Sequence, residues 1–265
     1  MTSTRLAAFA AQVRLGPLPW LIALAVGALL VVLALPSAEQ LSAICGRVAL
    51  LDLTDPAALR ALVWSPWALA LDWGLMVTVM MPPLLAQPVS HVRQSSPKGR
   101  RARALALFAV GYAAGWGAAG LVLVPTTIIA AALVPGALML VLTTGLAAGW
   151  SASPPAQAAR NRCHRVRRIG CRGIQADISC LAQGITTAGA CIATCWPWMM
   201  VPAMAGAGHD VAMVMVALVL FAERLAPAGA VRWRVPPSWT TVTGHGQALR
   251  PRWRPTRVQK VFGTE

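Results

Sequence analysis

The sequence predicts an all-α fold: a polytopic membrane protein with six transmembrane helices and both termini on the cytoplasmic side. Composition, six apolar stretches and the placement of the basic residues support this prediction. Of the 265 residues, 57% are hydrophobic and 12% are charged, whereas soluble globular domains carry roughly 25% charged residues. The six cysteines are dispersed, several of them inside apolar runs, so a secreted disulfide framework is not expected.

The apolar stretches define the six spans. The first run could also be a secretory signal, but Pro36 suits a cleavage site poorly, so we interpret the run as an uncleaved span. A turn at residues 125–127 is expected to separate the third span from the fourth. Five spans are expected at 18–35, 66–86, 104–124, 128–150 and 211–226. The fifth span in chain order begins between residues 174 and 184 and ends at about residue 204.

The basic residues predict the orientation. With the N-terminus inside, all of the 23 Lys and Arg residues except Arg47 and Arg60 fall in cytoplasmic segments, as the positive-inside rule requires. The net charge of +15 then indicates contact with the anionic lipid of the cytoplasmic leaflet rather than with nucleic acid. We therefore expect a bacterial inner (plasma) membrane protein. It would have a cytoplasmic N-terminus at 1–17, a transmembrane domain at 18–226, and a basic Trp-, Pro- and Arg-rich tail at 227–265.

Small residues recur in the third span. Gly111, Gly115 and Ala119 are four residues apart and would lie on one helix face. Small side chains at this spacing let two spanning helices approach closely. We expect this face to pack against another helix and assign it no chemistry.

Two of the predicted spans carry candidate metal ligands at helical spacing. Each has three such side chains four residues apart, which places them on one face of a helix. In the second span they are Asp72, Met76 and Met80, and in the fifth span they are Cys191, Cys195 and Met199. If the two spans pack side by side and antiparallel, three pairs meet: Met76 with Cys195, Met80 with Cys191, and Asp72 with Met199.

Thiolate and thioether ligands select Cu(I) among the common biological metals. An acidic side chain at the depth of the hydrocarbon is costly, which makes Asp72 a functional candidate. We therefore predict a Cu(I) site built from these six residues. In that site Asp72 would capture the cation or accept a proton that a cysteine releases.

A structural role for the same residues remains open, because methionine is a common filler in apolar helices and a buried cysteine packs as a small hydrophobe. Some sulfur residues lie off the two faces or lack a partner at ligand spacing: Met81, Met200, Met204, Cys45, Cys171 and Cys180. His209 and Asp210 could bind a metal at the outer turn, although a solvated turn explains them as well. The sequence has no P-loop, H-E-x-x-H or C-x-x-C motif, so we expect no enzymatic activity.

Three blocks of the sequence form a recognisable pattern. The first has a tryptophan, three methionines and a proline, the second is G-Y-x-x-x-W, and the third is C-x-x-x-C-W-x-x-M followed by a methionine and a Glu-Arg pair. Their residues are Trp73, Met76, Met80, Met81 and Pro82; Gly111, Tyr112 and Trp116; and Cys191, Cys195, Trp196, Met199, Met213, Glu223 and Arg224. Over residues 66–228 the chain thereby resembles a family of bacterial integral membrane proteins with predicted metal binding, some of them described as copper chaperones.

The chain departs from that family at one point. The family's loop carries a K-x-x-C-x-x-C-R pattern, and here Arg160, Cys163 and Arg167 match it while Val166 replaces the second cysteine. The two-thiolate transfer site that the family pattern implies is therefore incomplete in this loop.

Two functions follow from these observations. The first is Cu(I) handling or delivery to a membrane or periplasmic cuproenzyme, through the six candidate ligands. The second is a non-catalytic subunit or assembly factor of a larger membrane complex, in which the basic tail docks on partner membrane proteins or on lipid.

Overall fold

The computed structural model describes residues 16–34, 66–134, 136–165, 167–170, 172–226, 228–236 and 238–239. The predictions for the N-terminus before residue 16, for the loop with Cys45, for Cys171 and for the tail after residue 239 lie outside the described residues. The described chain forms eight α-helices: α1 Leu18–Ala34, α2 Pro66–Met80, α3 Ala86–Ser95, α4 Arg101–Leu133, α5 Gly136–Ala152, α6 Pro154–Cys163, α7 Gly173–Met204 and α8 His209–Leu225. Short 3-10 turns at Pro82–Leu85, Lys98–Arg100 and Gly206–Gly208 connect some of them.

The helical class is confirmed for this part of the chain, which contains no strand. Two helical stretches, Lys98–Ala131 and Gly173–Met204, are long and apolar enough to cross a membrane. The number rises to four if two bent helix pairs each count as one span. The remaining two of the six predicted spans correspond to α1 and α8, which have 17 residues each. Six spans with both termini inside therefore remains a prediction.

The two longest helices, α4 and α7, form the centre of the fold and run parallel. Arg100 and Arg103 at the start of α4 both form ion pairs with Asp177 near the start of α7. At the other end, Ile128 of α4 packs against Met204 of α7. At 1.5 Å per residue each helix is about 50 Å long, so it exceeds the roughly 30 Å of a hydrocarbon core.

The close helix approach predicted for the small residues is confirmed. A Cβ atom added to Gly111 would lie 2.3 Å from the carbonyl oxygen of Leu181. One added to Gly115 would lie 2.6 Å from the Cβ of Ala188. Since the two backbones are nearly in contact, only glycine fits at these positions.

The turn predicted at residues 125–127 is wrong, because α4 continues through Pro125 and ends at Leu133. The hydroxyls of Thr126 and Thr127 donate to carbonyls one turn earlier, Val122 and Leu123, both at 2.7 Å. Neighbouring hydroxyls of this kind help a helix in apolar surroundings to tolerate a proline.

The shorter helices α2, α5 and α8 end at about the middle of α7. The Trp150 indole at the end of α5 donates to the carbonyl of Ala193 at 3.0 Å, and the Trp198 indole donates to the Ser151 hydroxyl at 2.8 Å. Beyond this level the chain bends by 58° between α2 and the stretch Pro82–Ser95, and by 68° between α5 and α6. The other half of α7 is therefore covered by α3, α6 and the loop that follows α6.

A buried ion pair holds this bend region together. The guanidinium of Arg160 on α6 contacts the carboxylate of Glu223 on α8 at 3.1 Å and donates to the Ser151 carbonyl at 2.7 Å. The described part of the tail also packs here, since the Arg234 amide donates to the Ala152 carbonyl at 3.1 Å. This part of the tail contacts its own chain, whereas the sequence had predicted docking on a partner or on lipid.

Candidate metal centre

The sulfur side chains of the two predicted stripes share one core cluster. Its buried members include Met76 and Met80 of α2, Met81 immediately after α2, and Cys195 and Met199 of α7, with Cys191 packed against it. Met213 of α8 also belongs to this cluster. Met80, Met81, Met199 and Met213 are each only 1% exposed. Tertiary packing therefore gathers thioethers from three parts of the chain around two thiols.

Cys191 lies at the centre of the recorded polar contacts. Its thiol donates to the thioether of Met81, with the two sulfur atoms 3.8 Å apart. The Tyr112 hydroxyl of α4 donates to the same thiol over 3.6 Å. The Cys195 thiol donates to the Cys191 carbonyl at 2.9 Å. A thioether and a second cysteine thus lie next to Cys191.

The second span meets the fifth at Met81, whose sulfur contacts that of Cys191, but the predicted side-by-side packing of the two helices is wrong. Helix α2 packs mainly against α1, α4 and α8, whereas α7 packs mainly against α4 and α5. The glycine face of α4 explains this difference, because it admits α7 at a distance that a methionine-bearing helix could not reach. The thioether next to Cys191 belongs to Met81, which the sequence ranked below Met80 because it lies off the stripe.

Asp72 is buried in α2. It lies nine residues before Met81, which is about 14 Å along a helix axis. This spacing places it toward the end of α2 that is remote from the Cys191 contact, so its role as an entry or proton group stays a prediction.

The donor set suits a soft metal. Among the described residues no three His, Cys, Asp or Glu side chains lie close enough together to hold a metal ion. Thioethers with one or two thiolates are the ligands that Cu(I) prefers, and they suit Mg²⁺, Ca²⁺ or Mn²⁺ poorly. The residues present fit a copper(I) cargo.

A small cavity lies beside these thiols. Cys191, Cys195 and Thr194 of α7 form one wall, and Cys163 and His164 at the end of α6 form another. Glu223 and Arg224 of α8, Arg160 and the bend at Leu84 and Leu85 complete the lining. Cys191 is partly buried in this lining, and its neighbour Cys195 is only 2% exposed.

His209 differs from its sequence assignment, whereas Cys180 lies apart from the candidate ligands as expected. His209 is buried, not solvated, and its Nδ1 lies 3.0 Å from the Pro202 carbonyl oxygen. Because a carbonyl only accepts, Nδ1 carries the hydrogen. Cys180 is buried within α7 in a second cluster with Ala104 and Phe108, apart from the cavity.

The fold and the site together define a helical protein with a methionine- and cysteine-lined centre suited to a soft metal. A family model described as PpoB2, a copper chaperone, matches residues 70–246. The chain belongs to the PpoB2 copper chaperone family, as the resemblance over residues 66–228 predicted. Membership supports a role in copper handling and a non-catalytic function. No curated protein matches the chain. No solved structure matches it either.

Proposed function

We propose that the chain is an integral protein of the bacterial inner membrane that binds Cu(I) and delivers it to a membrane or periplasmic cuproenzyme. Cys191 and Cys195 would supply the thiolates, and Met76, Met80 and Met199 would supply thioethers. To this predicted set we add Met81. The sulfur-to-sulfur contact of 3.8 Å between Cys191 and Met81 carries this proposal.

That contact is informative because of where its partners come from. Cys191 and Met81 are 110 residues apart in sequence and lie on different helical segments. Packing alone would be satisfied by any apolar side chain of similar volume, since volume-conserving exchanges usually cost less than about 1.5 kcal/mol in a core. Here the Cys191 thiol contacts a thioether, and a second thiol lies one helical turn away. Copper(I) accepts such ligands at low coordination number.

The surface of the bundle supports membrane integration. Large apolar side chains of α4 and α5 are exposed, including Leu121 at 80%, Leu133 at 77% and Val141 at 67%. Apolar surface of this extent needs a membrane or a partner to cover it. The described Lys and Arg residues lie on the segments around the bends and at the starts of α4 and α7, away from these side chains. The positive-inside rule then assigns that end to the cytoplasm.

A second function, as a subunit or assembly factor of a larger membrane complex, is favoured by one observation. Trp233 and Trp239 are 69% and 52% exposed on a segment that hydrogen bonds hold against the bundle. Exposed tryptophans on a fixed segment are typical of interface anchors. A recipient cuproenzyme would bind there if both functions hold.

Copper content tests the proposal. The chain is purified in mild detergent under reducing conditions after growth with added copper, and the metal is measured by elemental analysis. We expect about one copper per chain, and complete loss of copper in the double variant Cys191→Ser and Cys195→Ser. The matched control is Cys180→Ser, which removes a buried thiol of the same helix outside the cluster.

Full copper occupancy in the double variant would refute the site assignment. Absence of copper from the wild type, with other proteins co-eluting in fixed ratio, would instead favour the subunit function. Circular dichroism and gel filtration establish that each variant retains its helical fold.

A further inference from the structure

The cavity at the bends brings a third thiol to the metal centre. Cys163, the last residue of α6, lines the same cavity as Cys191 and Cys195. Its sulfur lies 3.8 Å from the hydroxyl of Thr194, the residue directly before Cys195. Cys163 and the two α7 cysteines therefore line one shared cavity.

Hydrogen bonds hold Cys163 in this position. The Arg224 guanidinium donates to the Cys163 carbonyl at 2.9 Å, and the ring of His164 bonds the Ala226 carbonyl through Nε2 at 3.1 Å. Because that carbonyl can only accept, Nε2 carries the hydrogen and Nδ1 keeps a lone pair in the neutral ring. The end of α6 is thus attached to the end of α8, with its thiol on the cavity wall.

The charge around the cavity favours an anion. Arg160 is compensated by Glu223 at 3.1 Å, but among the described residues no carboxylate lies within ion-pair distance of Arg224. The lining thus has two arginines against one carboxylate. Further basic residues follow Cys163 on the loop after α6, where Arg165, Arg167 and Arg168 are exposed. A hydrated cation would be repelled from this basic region, whereas an anionic complex would be attracted to it.

We propose that Cu(I) is delivered to the cavity from an anionic bis-thiolate complex and that Cys163 is the first protein thiol to bind the metal. This inference rests on the proposed function, because it supplies a route to the Cys191 centre. In the first step the Cys163 sulfur forms a bond to copper, one donor thiolate leaves, and the Cys163 proton passes to the departing sulfur, so a neutral thiol is released.

The second step repeats this exchange at Cys191. A bond forms from its sulfur to copper, the second donor thiolate leaves as a thiol with the Cys191 proton, and copper is held between Cys163 and Cys191. In the third step the Cys195 thiol replaces Cys163 and returns a proton to it. Copper remains Cu(I) throughout, and the complex keeps one negative charge at each stage. Arg224, next to Cys163, balances that charge.

Uptake kinetics test the route. The purified wild type is mixed with Cu(I) presented either as its bis-glutathione complex, which is anionic, or as its acetonitrile complex, which is cationic, and copper–sulfur absorbance is followed in time. For Cys163→Ser we expect uptake from the glutathione complex to slow at least about tenfold while the final copper content is unchanged, because a hydroxyl is a poor ligand for Cu(I). Cys180→Ser, away from the cavity, should match the wild type.

The excess positive charge of the lining predicts different effects of an arginine substitution with the two donors. Arg224→Gln should slow uptake from the anionic donor at least about threefold and should not slow uptake from the cationic donor. The matched control is Arg162→Gln, which removes an equal charge from an exposed position outside the cavity lining. Slowing of both donors alike by Arg224→Gln would overturn the proposed anionic complex.

A measurement on the wild type covers the case in which Cys163→Ser does not fold. Cys163 should be protected from alkylation by N-ethylmaleimide, read by mass spectrometry, early in uptake from the glutathione complex. Wild-type uptake rates in Cys163→Ser, or no early protection of Cys163, would overturn the route while leaving the copper site intact. A wild type that takes no copper from either donor would instead refute the proposed function itself.

Discussion

Replacing Gly184 by alanine should disrupt the central helix pair. An added Cβ would lie 2.2 Å from the Phe108 carbonyl oxygen and 2.9 Å from the Tyr112 amide nitrogen. Ordinary contact begins near 3.4 Å, so the first distance is too short by about 1.2 Å. Both opposing atoms belong to the backbone of α4 and cannot rotate away, so the two helices must move apart.

The expected loss of stability follows from this geometry. Overpacking a well-packed core typically costs about 1–3 kcal/mol, and collision with two backbone atoms of α4 should place this variant at the upper end. The matched control is Gly189→Ala on the same helix, where a Cβ would meet nothing within 4 Å. That variant should gain up to about 0.5–1 kcal/mol, because alanine is the better helix former.

Equilibrium unfolding in mixed micelles, followed by circular dichroism, measures both variants. We expect the free energy of unfolding of Gly184→Ala to lie at least about 2 kcal/mol below that of Gly189→Ala. Separation of the helices should also move the Tyr112 hydroxyl away from the Cys191 thiol, a contact of 3.6 Å, and so weaken Cu(I) binding. Equal stability of the two alanine variants would refute the close parallel packing of α4 and α7.

Two further changes test the metal centre and the bend region. Met81→Leu conserves volume but removes the thioether beside Cys191, so its Cu(I) affinity, measured by chelator competition, should fall at least about tenfold. The control Met200→Leu should leave the affinity unchanged. Equal affinities in the two variants would argue that Met81 only packs. Glu223→Gln removes the charge partner of buried Arg160 and should lower the free energy of unfolding by about 3–5 kcal/mol. An unchanged free energy of unfolding in the same denaturation assay would show that the ion pair does not stabilise the fold.

Local sequence features predicted the helical class, the central parts of the helices and which sulfur side chains share a helix face. Periodicity places Cys191, Cys195 and Met199 on one face regardless of their surroundings, because a helix has 3.6 residues per turn. The Gly111 and Gly115 spacing likewise predicted close helix contact, since only small residues permit it. These are properties of a single helix, and a single helix can be read from sequence alone.

The wrong predictions concern how separate helices meet. Pro125 suggested a turn, but its effect depended on hydroxyls and apolar neighbours that let α4 continue. Matching stripes predicted side-by-side packing of the second and fifth spans, yet the glycine face of α4 lies against α7, and the second span meets Cys191 through Met81. Which helix lies beside which is decided by competition among all possible pairings.

The sequence by itself determined which soft ligands this chain offers, because ligand chemistry belongs to the individual side chain. Only the tertiary structure decided that Met81 and not Met80 contacts Cys191, and that Cys163 opens onto the same cavity. Both results depend on two helix bends, of 58° and 68°, that carry distant segments back against the middle of α7. The direction of a bend arises from long-range packing, and no local pattern in the sequence encodes it.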